Sequence, residues 1–404
     1  MKIAQLFSPY IVTFLFITAY PIEFFSGFRK SHILFFAVAI VVQLFRFLKL
    51  KERKIDLWFL FFFILLLSLV ILSAIRNEQI LVPFIGFFNY LGLLLYWVLY
   101  LRVEKEGFRI DAYINFLIFL ALVVGVLGLY QYYFDISLFG MASQLNSYYK
   151  IENHVGYVRP SSIISSVQDY GLFMVSSLAL CVGSRGFLQK FPVSKKTVIF
   201  LLTWAAIICG NKSVFIGIAL IFLFIVIRTP KRTLSFSMLF FVSSLLLFLL
   251  VNSGSSLEIK VPFLDRFFEF ASSPGQFVKD ESVRFNVYEK IIQSTNFFIG
   301  NGIGTANSYA MNAVVANRKV TESFLLQLYW EGGVIFVISF FFLYLRAICN
   351  SFRCGKVEIT LILLVNIIGI IFVQSFFSFA FFGIWGLVVF SILSKSRSKI
   401  AELV

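Results

Sequence analysis

Residues 197–227 read TVIFLLTWAAIICGNKSVFIGIALIFLFIVI, and the division of this stretch decides the topology of the chain. It is strongly apolar except around Gly210-Asn211-Lys212-Ser213. Two readings are open: one long interrupted helix, or a tight hairpin turning at those residues. Arg185, Lys190, Lys195 and Lys196 precede the stretch, and Arg228, Lys231 and Arg232 follow it. A single crossing would leave one basic cluster on the outer side of a membrane, against the tendency of Lys and Arg to remain cytoplasmic. The hairpin keeps both clusters inside and sets Lys212 at the outer face. It makes two rather short helices, which are tolerated when buried among others.

The rest of the chain fits that frame. Of its 404 residues, 60% are hydrophobic and 14% charged, and the mean hydropathy is +0.91. No soluble domain needs so much apolar surface, and the apolar residues come in runs of roughly 15 to 25, each able to cross about 30 Å of hydrocarbon as a helix. The expected fold is an all-α polytopic integral membrane protein, a single transmembrane domain over 1–404. Its expected spans are 5–23, 31–48, 57–75, 80–101, 110–133, 164–183, 197–210, 213–228, 234–252, 321–345, 357–373 and 376–394. The first lacks a small-x-small cleavage site and reads as an uncleaved helix.

Basic connections at 46–54, 102–109, 185–196, 228–232, 346–356 and 395–399 alternate with connections poor in positive charge. This pattern puts both termini in the cytoplasm. The net charge of +15 therefore reports topology rather than nucleic-acid binding. Two long connections, 135–163 and 252–320, fall outside. Within the second, 261–270 and 281–294 have helical apolar spacing, which suits short amphipathic helices lying in the interface. Two histidines (His32, His154) and four scattered cysteines (Cys181, Cys209, Cys349, Cys354) do not make a metal site, and no cofactor is expected.

The outer face collects the candidate chemistry. Arg159 precedes the sixth span, where a snorkelling anchor and a ligand contact are both open. Asp169 lies one or two turns inside that span, where an acid is costly unless paired or solvated. Lys212 is either an interfacial lysine or a ligand contact, and Arg284 either a solvated residue or one. Gly300, Gly302 and Gly304 could bring backbone N–H groups to an anion, or could serve only as a turn. Arg318 and Lys319 precede the tenth span, Thr321 can cap it, and Glu322 then falls in its first turn. Glu331 is a buried acid in the same helix that needs a partner, or a close contact permitted by Gly332-Gly333. Cations at headgroup level suit a membrane-anchored phosphate or pyrophosphate, and a carboxylate beside them could take a proton from an attacking hydroxyl.

Three places resemble the O-antigen polymerase and ligase superfamily of bacterial envelope glycan assembly. Arg159-Pro160-Ser161-Ser162 through Gln168-Asp169-Tyr170-Gly171 resembles the family's arginine and polar helix start, with Gln168-Asp169 where Pro-Asn is common. Asn211-Lys212-Ser213 resembles its Ser-Arg-Gly step. The run from Ser282 to Gly333 resembles its C-terminal signature: a helix bearing Arg284, the Gly300-x-Gly302-x-Gly304 turn, and a helix ending in Glu331-Gly332-Gly333. Ligases of the family usually carry histidine where this chain has Glu322, so the resemblance favours a polymerase.

The resemblance implies a fold of the GT-C-type lipid-linked-sugar transferases in the bacterial inner membrane, with metal-independent chemistry on its periplasmic side. It implies undecaprenyl-pyrophosphate-linked oligosaccharides as substrates, and a chain-length regulator and a flippase as partners. Arg159, Arg284, Lys212, Arg318 and Lys319 would hold the pyrophosphate, with Glu322 or Asp169 orienting or deprotonating the acceptor. The alternatives are a ligase that uses lipid A core as acceptor, or a lipid-linked-oligosaccharide flippase. Charge concentrated in two outer loops, without evident internal repeats, argues against the flippase.

Overall fold

A computed structural model describes residues 7–26, 31–50, 56–77, 81–104, 108–134, 162–164, 167–184, 194–228, 288–306, 323–372 and 382–401. Among them the chain is helical throughout, without a strand. The helices are α1 Pro9–Ile17, α2 Ala19–Ser26, α3 Ser31–Leu48, α4 Leu57–Asn77, α5 Leu81–Glu104 and α6 Ile110–Phe134, followed by α7 Val167–Gly183, α8 Lys195–Ile207, α9 Lys212–Arg228, α10 Phe324–Arg353, α11 Val357–Phe372 and α12 Phe382–Ala401. Each expected span has a helical counterpart except 234–252, which lies outside the described residues, as does the 261–270 segment. Helices α4, α6 and α10 are each long and apolar enough to cross a membrane, whereas α7, α9 and α11 are shorter apolar helices.

Local chemistry sets the ends. Asp56 caps α4 by accepting the Trp58 N–H at 3.0 Å, and Ser194 caps α8 through the Thr197 N–H at 3.2 Å. After α8 the chain turns at Gly210 (φ +62), and Asn211 Oδ1 accepts the Ser213 N–H at 3.1 Å to start α9. At the start of α8, Lys195 Nζ donates to the carbonyls of Val182 and Ser184 at the end of α7. Cys209 and Val214 instead lie against Gly171 near the start of α7, and Gly217 lies against Val175. So α8 runs antiparallel to α7 and α9 runs parallel to it. The 210–213 turn is a hairpin.

Helix α7 is the centre of one half of the bundle, with almost every residue buried. Packed around it are α6, α8, α9 and α11. Its one internal polar tie to α11 is satisfied: Asn366 Nδ2 donates to Ser176 Oγ at 3.0 Å and to the Ile362 carbonyl at 2.8 Å. The other half is aromatic. Tyr96, Trp97, Tyr113 and Phe382 are all buried and pack ring to ring across α5, α6 and α12.

The two ends of the bundle differ in kind. One end carries ion pairs: Arg46 to Glu104 at 2.6 Å, Arg346 to Asp56 at 3.0 Å, and Lys356 to Asp111 at 3.6 Å. It gathers the joins after α3, α5, α7 and α10, which are four of the six basic connections of the sequence. The opposite end carries the 210–213 turn, the start of α7 and the glycine-rich segment 300–306.

Candidate functional site

Helix α10 is broken. Gly333 has φ 65 and ψ −168, far from helical values, although helix continues on both sides. A break frees the Trp330 and Glu331 carbonyls and the Val334 N–H, which an unbroken helix would pair internally. The segment 297–302 takes all three. Asn301 N–H donates to Trp330 O at 2.6 Å, Gly302 N–H to Glu331 O at 3.1 Å, and Val334 N–H to Phe297 O at 2.8 Å. Backbone must approach backbone for this. A Cβ on Gly333 would stand 2.3 Å from the Phe298 carbonyl carbon, and one on Gly300 would stand 2.5 Å from that of Glu331. Both glycines also have positive φ, so any side chain there would be strained as well as crowded.

Glu331 locks the insertion. Its side chain is 0% exposed, and its Oε1 accepts the Ala306 N–H at 3.0 Å. The Gly304 N–H and the side chains of Tyr90 and Gln327 lie near this carboxyl, whose Oε2 has no hydrogen-bond partner among the described residues. Gln327 Nε2 in turn donates to the Tyr90 hydroxyl at 2.9 Å, tying α5 to α10. Trp330 Nε1 donates to Thr305 Oγ1 at 3.1 Å. From α4, Ser73 Oγ reaches the Ile303 carbonyl at 3.4 Å, and Arg76 Nη1 the Gly300 carbonyl at 3.3 Å.

Of the two readings open for Gly300, Gly302 and Gly304, this geometry favours the structural turn over the anion cradle. The N–H of Gly300 goes to Asn296 O at 2.9 Å, those of Asn301 and Gly302 to the α10 break, and that of Ala306 to Glu331. The donors that would hold a phosphate are already engaged by the protein. The turn and the Glu331-Gly332-Gly333 triplet form one structural knot.

Asp169 sits in the first turn of α7 and is 1% exposed. Lys212 is the first residue of α9, and the start of α9 meets the start of α7 at Gly171. The start of α10 joins the same end, because Ser323 Oγ donates to the Ile371 carbonyl while Gly369 lies against Leu172 of α7. The expected cap moves by two residues. Ser323, not the expected Thr321, caps α10 and accepts the Leu326 N–H at 3.4 Å, and the helix begins at Phe324. The cause is local: Ser and Thr can both cap, with Ser the better of the two, and the geometry of the start selects Ser323. Arg159, Arg284, Arg318, Lys319 and Glu322 lie outside the described residues.

Arg76, Tyr90, Gln327 and Ala306 were not anticipated from the sequence. Arg76 carried one available signal, a cation at a join otherwise poor in positive charge. Tyr90 and Gln327 carried none, since their bond closes 237 positions of chain. Among the described residues no group of three or more His, Cys, Asp or Glu could hold a metal ion. Neither a protein-family model nor a curated protein matches this chain.

Proposed function

We propose that the chain is a polytopic surface-polysaccharide polymerase of the bacterial inner membrane, crossing it twelve times with both termini in the cytoplasm. The carrying observation is that Asp169, the first residue of α9 (Lys212) and the cap next to Glu322 (Ser323) come to one end of the bundle, opposite the ion-paired basic end. With the basic end in the cytoplasm, that end faces the periplasm. There the acceptor sugar hydroxyl attacks the anomeric carbon of the glycan carried on undecaprenyl pyrophosphate. The new glycosidic bond forms as the anomeric carbon–oxygen bond breaks, and the lipid pyrophosphate leaves with the electron pair. Glu322, or Asp169, takes the hydroxyl proton. Arg159, Arg284, Lys212, Arg318 and Lys319 stabilise the charge growing on the leaving group.

The test is reconstitution of purified protein with lipid-linked repeat units, read as glycan length. Lengthening that is lost in Arg159→Ala and Arg284→Ala supports the reading, and full polymerisation by both variants refutes the pyrophosphate assignment. Transfer to an added lipid A core acceptor, without lengthening, would make the protein a ligase. Passage of labelled lipid-linked sugar across vesicles, with no change in glycan length, would make it a transporter.

A further inference from the structure

The segment 295–306 sits where the sequence places a water-facing outer loop, yet its surroundings are those of a membrane interior. Asp56, at the start of α4, and Arg346, on α10, are joined by two hydrogen bonds of 3.2 and 3.0 Å, so the two helices share a level there. At 1.5 Å per residue, Arg76 lies about 30 Å from that level along α4, about the thickness of a bilayer's hydrocarbon core. Gly333, against which the Phe298 backbone packs, lies only about 20 Å from it along α10. The other contacts agree. Ile303 is fully buried and its carbonyl accepts from Ser73, a turn before the end of α4, while Gly304 lies against Val82 and Gly86 in the first two turns of α5.

Two further features fit that depth. Irregular backbone survives at membrane depth only where its polar groups are satisfied by protein, and the N–H groups of Gly300, Asn301, Gly302, Thr305 and Ala306 are. Two of its three exposed residues are apolar, and the third, Asn296, uses its Oδ1 to accept the Phe298 and Ile299 N–H groups at 3.3 Å. Phe297 is 57% and Phe298 62% exposed, and the two rings touch edge to face. They continue an exposed stripe on α10 formed by Ile335, Ile338, Phe342 and Leu345, beside the stripe of Ile64, Leu67, Ile71 and Ile75 on α4. Arg76, its guanidinium on the Gly300 carbonyl, marks the level where headgroups begin.

We propose that residues 295–306 form a re-entrant element, with the Phe297 and Phe298 side chains seated in the acyl layer of the bilayer. The partner of this surface is lipid. The inference rests on the chain spanning a membrane and is independent of the transferase reading.

The experiment uses full-length protein in liposomes, with exposed Cys349 and Cys354 replaced by serine and one new cysteine at a time: Phe297→Cys, Phe298→Cys, Glu289→Cys and Ile64→Cys. Each is labelled with a charged, membrane-impermeant maleimide and with a lipophilic one. A charged reagent enters hydrocarbon at a cost of several kcal/mol, so Phe297→Cys and Phe298→Cys should react with it at least about tenfold more slowly than Glu289→Cys, and react readily with the lipophilic reagent. A nitroxide at either position should be relaxed by oxygen and not by a water-soluble nickel chelate. Reaction with the charged reagent at the Glu289→Cys rate would overturn the proposal, because the turn would then face water. Silence toward both reagents until denaturation would also overturn it, because protein would then cover the patch. If Ile64→Cys reacts with the charged reagent, the spanning reading itself fails, separately from this one.

Discussion

The two ends of this bundle hold polar groups in opposite ways. At the basic end, charge meets charge in partly exposed pairs, such as Lys356 with Asp111, whose side chains are 37% and 80% exposed. At the other end, the fully buried carboxylate of Glu331 meets the Ala306 N–H and lies near the Gly304 N–H and two side chains, with no cation among the partners identified. Exposed pairs gain little over water, whereas a buried acid stripped of its donors, or donors stripped of their acid, incur the full desolvation penalty. The basic end keeps its charges near solvent. The Glu331 end holds shape, and a mutation there should matter far more.

Glu331→Ala gives the largest expected effect. It orphans the Ala306 N–H in a buried site and opens a cavity, costing about 3–5 kcal/mol. Thermal unfolding of the purified protein should show a marked loss, and Glu331→Gln, which keeps the shape and an acceptor oxygen, should lose less than half as much. Equal losses would mean that volume, not hydrogen bonding, is what Glu331 supplies.

Gly333→Ala comes next. It forces a Cβ into the Phe298 carbonyl at a positive φ, costing about 2–4 kcal/mol through strain and crowding together. The same substitution at Gly355, which also has positive φ but nothing within 4 Å, should cost only the strain, about 1 kcal/mol. Similar losses at both sites would remove the backbone contact from the explanation.

Lys356→Ala should be close to silent, below about 0.5 kcal/mol, because its pair with Asp111 is open to solvent. Arg346→Ala should cost about 1–2 kcal/mol, since that guanidinium makes two bonds to Asp56 and lies over the Trp58 ring at 5.7 Å. A reversed order would break the contrast between screened and engaged charges at the basic end.

The division of 197–227 was legible because apolar periodicity, a glycine and one lysine carried it, and the flanking charges could arbitrate. The helical spans were legible for the same reason: crossing hydrocarbon imposes length and composition on each segment by itself. That Glu331 required partners was also legible, because an acid in an apolar helix is costly alone. Which partners it found was not. Its donor Ala306 and its neighbour Gly304 sit in a glycine-rich turn whose spacing suits an anion as well as a helix break, and only three-dimensional closure distinguishes the two. Asp169 and Lys212 could each be marked singly from charge in an apolar setting, but that the starts of α7 and α9 share one end depends on α9 running parallel to α7, a register set by Gly171 and Gly217 packing.

The central claim is that the glycine turn is spent on the break in α10 and is not a free anion site. Amide hydrogen exchange across residues 296–306 in lipid nanodiscs tests it most directly. The Asn301 and Gly302 amides should be protected as strongly as those of α7, and that protection should collapse in Glu331→Ala. Fast exchange in the unmodified protein, slowed only when pyrophosphate is added, would contradict it.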